Sequence, residues 1–171
     1  NTSHLVHRLD RDTSGLMVYA KDVQTQQSLI NGWQQLVTDR RYVALVEGQL
    51  KAEHGRIESW QTEDKRFITH SSKVDNGGKF AVTHYHVLAS SNGYSLVDCE
   101  LETGRKNQIR VHMQDLGCPV VGDRKYGASA DPMNRLGLHA YMLCFTHPVT
   151  GKRMRFETPV PACFEKCLNE K

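Results

Sequence analysis

Asp10 and Asp12 stand among Arg8 and Arg11 in His7-Arg8-Leu9-Asp10-Arg11-Asp12-Thr13-Ser14-Gly15, just ahead of the apolar run Leu16 to Ala20. A carboxylate in such a place can act as a nucleophile or an electrostatic stabiliser at a sugar C1′ or an activated ring carbon. It must be ionised to do so, and a nearby guanidinium favours that form. Arg8 and Arg11 are close in sequence, but strand geometry sends near neighbours to different faces. A third arginine from elsewhere is therefore the better buried partner. Asp10 and Asp12, two apart, can share a face. The same letters also fit an Asx-type turn feeding a strand, with Asp12 or Thr13 bonding local backbone. Residue types alone favour that plainer reading.

A second cluster lies in Glu102 to Gly127, ETGRKNQIRVHMQDLGCPVVGDRKYG. Arg105, Lys106 and Arg110 fall at or near a helix start, where backbone N–H groups suit a phosphate. Cations there do nothing for the helix itself, which points to a ligand. The glycine-punctuated basic loop that follows, with Arg124 and Lys125, suits a polynucleotide backbone. The plain alternative is a capped surface helix. Tyr42, in DRRYVALVEG, opens a strand. It can pack, stack on a base or carry a proton. His139 and His147 read as structural. His84 and His86 share a strand face, but no cysteine or carboxylate follows at ligand spacing, and Cys163 and Cys167 stand too far from other ligands, so no metal site is expected. Walker and Rossmann glycine signatures are absent from the sequence.

These groups need elements to hold them. Strand patterns cover Gly15 to Lys21, Arg41 to Val46, Gly55 to Gln61, and a hairpin over residues 79–101 turning at Asn92-Gly93. A further strand, turn and strand fill Arg135 to Pro161, with the turn at Pro148 to Gly151. Asp22 can cap a helix through about Leu36, weakened near its end by Gly32. A second helix is expected from about Arg105 to Leu116, with Thr103 as N-cap and Gly117 as its stop. A short third helix follows Pro161. Many strands with few, separated helices predict an α+β fold with a mixed, mostly antiparallel sheet.

The chain of 171 residues is 39% hydrophobic and 24% charged, ordinary values for a globular domain with a real core. It has no apolar run long enough to span a membrane, and Asn1 to Leu9 holds no stretch of signal-peptide type. Five scattered cysteines fit reduced thiols in a cytoplasmic setting better than a disulfide framework. A net charge of +3 is compatible with nucleic acid without requiring it. Basic residues gather at Arg8/Arg11, Arg40/Arg41, Lys65/Arg66, Arg105/Lys106/Arg110, Arg124/Lys125 and Lys152/Arg153/Arg155. On charge alone these are equally a solvated surface.

Taken together, HRLDRDTSG, RRYVALVEG, ETGRKNQIRVHMQDLGCPVVGD with its following YG, and LGLHAYMLCFTHPVTG resemble, in that order, the motifs of the pseudouridine synthases, in the branch named for large-subunit ribosomal RNA enzymes (RluA-like). The resemblance runs from about His4 to Pro161. It implies an isomerase that breaks a uridine N–C glycosidic bond and rejoins the base through carbon, in ribosomal or transfer RNA. It implies no cofactor and no metal, and a monomer with no membrane partner. Asp10 matches the family's nucleophilic aspartate and Tyr42 the tyrosine over the target base. Arg110 matches the arginine that pairs with the aspartate, and Arg8 the residue that fills the gap left by a flipped nucleotide. Arg8, Arg11, Arg105, Lys106, Asn107, Arg124 and Lys125 are the expected RNA contacts. Asn107 stands where the family commonly has histidine, a change expected to touch backbone contacts more than bond chemistry.

The expectation is one catalytic domain over residues 1–171, without the N-terminal segment that members of the family usually carry. Two other functions fit parts of the pattern. One is a catalytically inactive RNA-binding module on the same scaffold. The other is a glycoside-bond hydrolase using Asp10 with Asp12 or Glu102, which would release free uracil.

Overall fold

Leucine and valine on both faces of one strand require cover on both sides, and Val43-Ala44-Leu45-Val46 has it. In the computed structural model, which describes residues 2–170, these side chains are fully buried. They lie in β4 (Val37–Glu47), inside a sheet built from β5 (His54–Glu63), β6 (Thr69–Ser72), β7 (Lys79–Ser91), β8 (Tyr94–Leu101), β9 (Leu138–Thr146) and β10 (Arg153–Glu157). The strand order is β10-β9-β4-β8-β7-β5-β6, and every neighbouring pair is antiparallel. A short β2 (Ser14–Gly15) adds a parallel pairing to β9, so the sheet is mixed. Beside it, β1 (His4–Leu5) pairs with β3 (Tyr19–Ala20). The expected α+β fold with a mostly antiparallel sheet is the one observed.

Three helices cover this sheet. Ala44 and Val46 pack with Ile109 and Met113 of α2 (Gln108–Asp115). Val43 and Leu45 face the other way, onto Phe164 and Leu168 of α3 (Ala162–Asn169). α1 (Val23–Leu36) buries Leu29 against Leu143 and Phe145 of β9. Asp22 caps α1 as expected, accepting from the Thr25 amide at 2.7 Å. The helix runs on through Gly32. The 79–101 hairpin turns on Asn92 and Gly93, both at positive φ, the turn that matches strand twist. No helix among the described residues is long and apolar enough to cross a membrane.

Two elements differ from expectation. Gly15 to Lys21 is not one strand. Gly15 sits at φ 127 and bends the chain, so pairing passes from β9 at Ser14–Gly15 to β1 at Tyr19–Ala20. The second helix begins at Gln108, not Arg105. Asn107 adopts a left-handed conformation with φ 59, which no helical residue can share. Thr103 is not its N-cap. Its hydroxyl donates to Gln108 Oε1 at 2.6 Å and accepts from the Val82 amide at 2.9 Å, tying the loop to β7 instead. Arg105 and Lys106 therefore lie on a loop ahead of the helix. A 3-10 turn, Arg124–Tyr126, and strand β6 complete the set.

Gly15 fixes how closely the Asp10 loop approaches β9. A Cβ there would overlap the Ala140 carbonyl, and the positive φ disfavours any side chain. Gly15→Ala is expected to lower unfolding free energy by at least about 3 kcal/mol. Urea denaturation checks this; a midpoint like that of the wild type would mean the clasp is loose.

Candidate active site

The loop between β1 and β2 makes its turn with backbone alone: the Thr13 amide donates to the Asp10 carbonyl at 3.0 Å. The expected side-chain turn through Asp12 or Thr13 does not form, and the buried Thr13 hydroxyl has no partner among the described residues. The Asp10 carboxylate is thus not engaged in holding its own loop. What holds the loop is β9. Arg135 donates to Ser14 Oγ at 2.7 Å, and the Ser14 hydroxyl is hydrogen-bonded to His139 Nδ1, also at 2.7 Å. Burial first, and then Arg135, hold the His139 pKa below its usual value, consistent with a neutral ring. His139 is a structural residue, as its sequence context suggests.

Asp10 lies half-buried in a cleft of about 880 Å³. Burial raises its pKa; Arg110, the Asn107 amide and Lys106 pull it back down, and Asp123 pushes it up. The expected ion pair between Asp10 and Arg110 is not made. Arg110 forks onto Asp123 instead, with Nε to Oδ2 at 2.8 Å and Nη2 to Oδ1 at 2.7 Å. Its third nitrogen donates to Asn107 Oδ1 at 3.1 Å. The physical reason is burial: the Asp123 side chain is 1% exposed and needs a full partner, whereas Asp10 opens to the cleft. Burial would depress the Arg110 pKa, but the Asp123 hydrogen bonds outweigh it and raise it. Arg110 remains a fixed positive charge that Asp10 feels through space.

Tyr42 reaches the same cleft from β4, next to a bulge where the register against β9 slips between Arg41 and Tyr42. Burial pushes its phenol up to about 12, with Asp10 adding to the rise and Arg40 opposing it. Arg8, Arg11, Arg105, Lys106, Asn107 and Lys125 also line the cleft. Arg124 does not; it is exposed on the 3-10 turn outside it.

Four further residues shape the cleft; His7, Arg40 and Asp123 stand inside the quoted motifs but had no site role assigned, and Trp33 lies outside them. Asp123 anchors Arg110. Arg40 lines the cleft with no ion pair among the described residues, packed against Gly104, where any Cβ would meet its guanidinium. Burial lowers its pKa. His7 stacks on Trp33 at 4.8 Å between ring centroids and accepts the Val18 amide at 3.0 Å. Burial, then Arg40, lower its pKa to about 4. Arg40 was visible as half of a basic pair, and His7 as a neighbour of Arg8; their orientation was not. Among the described residues no group of three or more histidines, cysteines or carboxylates is arranged to hold a metal.

A family model described as RNA pseudouridylate synthase matches residues 1–115. The Bacillus subtilis protein named uncharacterized RNA pseudouridine synthase YlyB is 44% identical over 158 residues, covering 92% of this chain and 52% of that protein. A Neisseria meningitidis ribosomal large subunit pseudouridine synthase D is 41% identical over 169 residues, covering 92% and 45%. The chain thus spans about half the length of the curated relatives it matches. The solved structure of human RNA pseudouridylate synthase domain containing 1 superposes with a TM-score of 0.81 at 26% identity, covering 97% of this chain and 73% of that one.

The raised Asp10 pKa has a consequence for stability. A folded pKa above the unfolded value means that the folded state binds the proton more tightly, so stability is greatest below the unfolded pKa and falls as pH rises through the folded one. Asp10→Asn mimics the neutral form at every pH. The variant is expected to unfold at higher urea than the wild type at neutral pH and to lose that advantage in acid. Lower stability at neutral pH would contradict a desolvated carboxylate.

Proposed function

This chain belongs to the RNA pseudouridylate synthase family, and from that premise we propose that it isomerises chosen uridines of ribosomal or transfer RNA to pseudouridine. The observation that carries the reading is the half-buried Asp10 carboxylate, without an ion-pair partner among the described residues, in a cleft it shares with Tyr42 and Arg110. In the proposed reaction the N1–C1′ bond breaks, the base turns, and a C5–C1′ bond forms. The C5 proton leaves and N1 gains one, so atoms and charge balance without an added reactant. Ionised Asp10 is the nucleophile, toward either the sugar or the ring. Arg110 favours its ionised form. Tyr42, a neutral phenol at working pH, lies against the base and assists removal of the C5 proton by proximity.

A uridine in folded RNA must leave its stack first, which costs a few kcal/mol. The planar guanidinium of Arg8, exposed at the cleft, suits the vacated place. Arg11, Arg105, Lys106, Asn107 and Lys125 take backbone contacts at the cleft, and Arg124 takes one outside it. We place this chemistry in one domain acting as a monomer, since Asp10, Tyr42 and Arg110 come from one chain. The five free thiols support a reducing, cytoplasmic setting.

Pseudouridine mapping on total RNA incubated with the protein tests the reading. The wild type is expected to convert uridine without releasing uracil. Asp10→Asn should slow conversion by at least about a thousandfold while RNA binding persists. Conversion by the variant at the wild-type rate would remove the assignment, no conversion by either would leave an RNA-binding module, and free uracil would indicate a hydrolase. Separately, Arg8→Ala should slow turnover of a base-paired target by about tenfold or more and barely affect an unstructured one. Equal losses on both would argue against a wedge.

A further inference from the structure

The turn between β5 and β6, Asp64-Lys65-Arg66-Phe67-Ile68, holds a large aromatic ring in water. Phe67 is 64% exposed. Its backbone lies at φ 61, a region that side chains of this size rarely adopt. A dense set of bonds enforces that geometry. Asp64 Oδ1 accepts from the amides of Arg66 at 2.8 Å and Ile68 at 3.1 Å, and the Phe67 amide donates to the Asp64 carbonyl at 3.0 Å. His70 bonds Asp64 Oδ2 at 2.8 Å. Two cleft residues then reach the tip. Lys125 donates to the Phe67 carbonyl at 2.7 Å, and the Lys106 ammonium stands 5.5 Å from the ring centroid. Lys65 and Arg66 are exposed beside it.

An exposed phenyl ring fixed at an unfavoured φ adds nothing to a core. A flat apolar face beside the cleft, with Lys106 over it (paired also to Glu63 at 2.9 Å), Lys125 at its carbonyl and exposed Lys65 and Arg66 preceding it in the turn, is complementary to one kind of partner, an unstacked base on an anionic backbone. We infer that Phe67 is a stacking platform for a nucleobase flanking the target uridine, with Lys65, Arg66, Lys106 and Lys125 taking its phosphates. The inference rests on the proposed RNA substrate and extends it by naming how a neighbouring nucleotide is gripped.

The test uses Phe67→Gly, which suits the positive φ and keeps the backbone carbonyl that Lys125 holds. The probe is a uridine-rich single-stranded RNA with a fluorescent adenine analogue on either side of a central uridine. The wild type is expected to quench the analogue on one side. Phe67→Gly should unfold at the same urea concentration as the wild type or a higher one, lose the quenching and bind about five- to a hundredfold more weakly. Its salt dependence should stay unchanged, because no phosphate contact is removed. Phe67→Trp should restore quenching and affinity. Wild-type affinity in Phe67→Gly, or a loss matched by lost folding stability, overturns the inference while leaving pseudouridine formation standing. A wild type that binds RNA through Phe67 but forms no pseudouridine overturns the activity and supports the platform. A wild type that binds no RNA overturns both.

Discussion

Asp123 takes the Nε–Nη2 edge of the Arg110 guanidinium with both carboxylate oxygens, and the character of the cleft follows from that allocation. A buried carboxylate stripped of its partner is costly, so the fork is strongly specified. It leaves Asp10 near a positive charge but not neutralised by it. A direct ion pair would hold Asp10 ionised and occupied. Burial without any cation would leave it protonated. The arrangement found lies between these limits: desolvation raises the pKa, while Arg110, the Asn107 amide and Lys106 restrain the rise. An ionised oxygen with weak solvation and no ion-pair partner is the form in which a carboxylate attacks carbon. The same fork is braced from behind. Asn107 accepts from Arg110 and donates to the Tyr126 hydroxyl at 3.2 Å, and that hydroxyl accepts the Thr69 amide at 3.0 Å.

Rigid scaffolding on the opposite wall has a similar logic. The Asp10 loop has no helix to stand on, and it is fixed instead by Ser14 against His139 and Arg135 and by a glycine pressed onto Ala140. Tyr42 comes in on the adjacent strand, redirected by a bulge. The three groups proposed to do chemistry therefore sit on three different supports. Each support is braced by its own hydrogen bonds or register shift, with no shared flexible segment.

Much of the fold could be read from local pattern because local physics decides it. Asp22 capping α1, Asn92-Gly93 turning the hairpin, and an apolar run buried on both faces are set by residues within a few positions of one another. What escaped reading was set across the fold. Asn107 in a left-handed conformation delays α2 by a turn, and it is held there by contacts with Arg110 and Tyr126. Strand β6 has the polar composition of a loop and exists because β5 offers it an edge. The expected Asp10–Arg110 pairing came from the family resemblance, which assigned no role to Asp123. The competitor, Asp123, closes the ETGRKNQIRVHMQDLGCPVVGD motif in a stretch whose residue types alone read as a turn. A preference between two carboxylates depends on their relative burial, which sequence spacing does not contain.

Charge balance shows the same dependence on facing. Arg40 and Arg41 are adjacent and chemically identical, and the strand sends them to opposite sides. Arg41 is held by Asp39, Asp98 and Glu100, with Tyr141 also bonded to Asp98, so its charge is neutralised locally. Arg40 faces the cleft beside Gly104 and makes no ion pair among the described residues. The net charge of +3 therefore understates what a polyanion approaching the cleft meets. Arg8, Arg11, Arg40, Arg105, Lys106 and Lys125 line the cleft with Asp10 and Asp12, so cations outnumber carboxylates there. A positive field of that kind steers an anionic chain toward the cleft. It also restrains the rise in the Asp10 pKa, so recognition and activation of the carboxylate draw on the same charges.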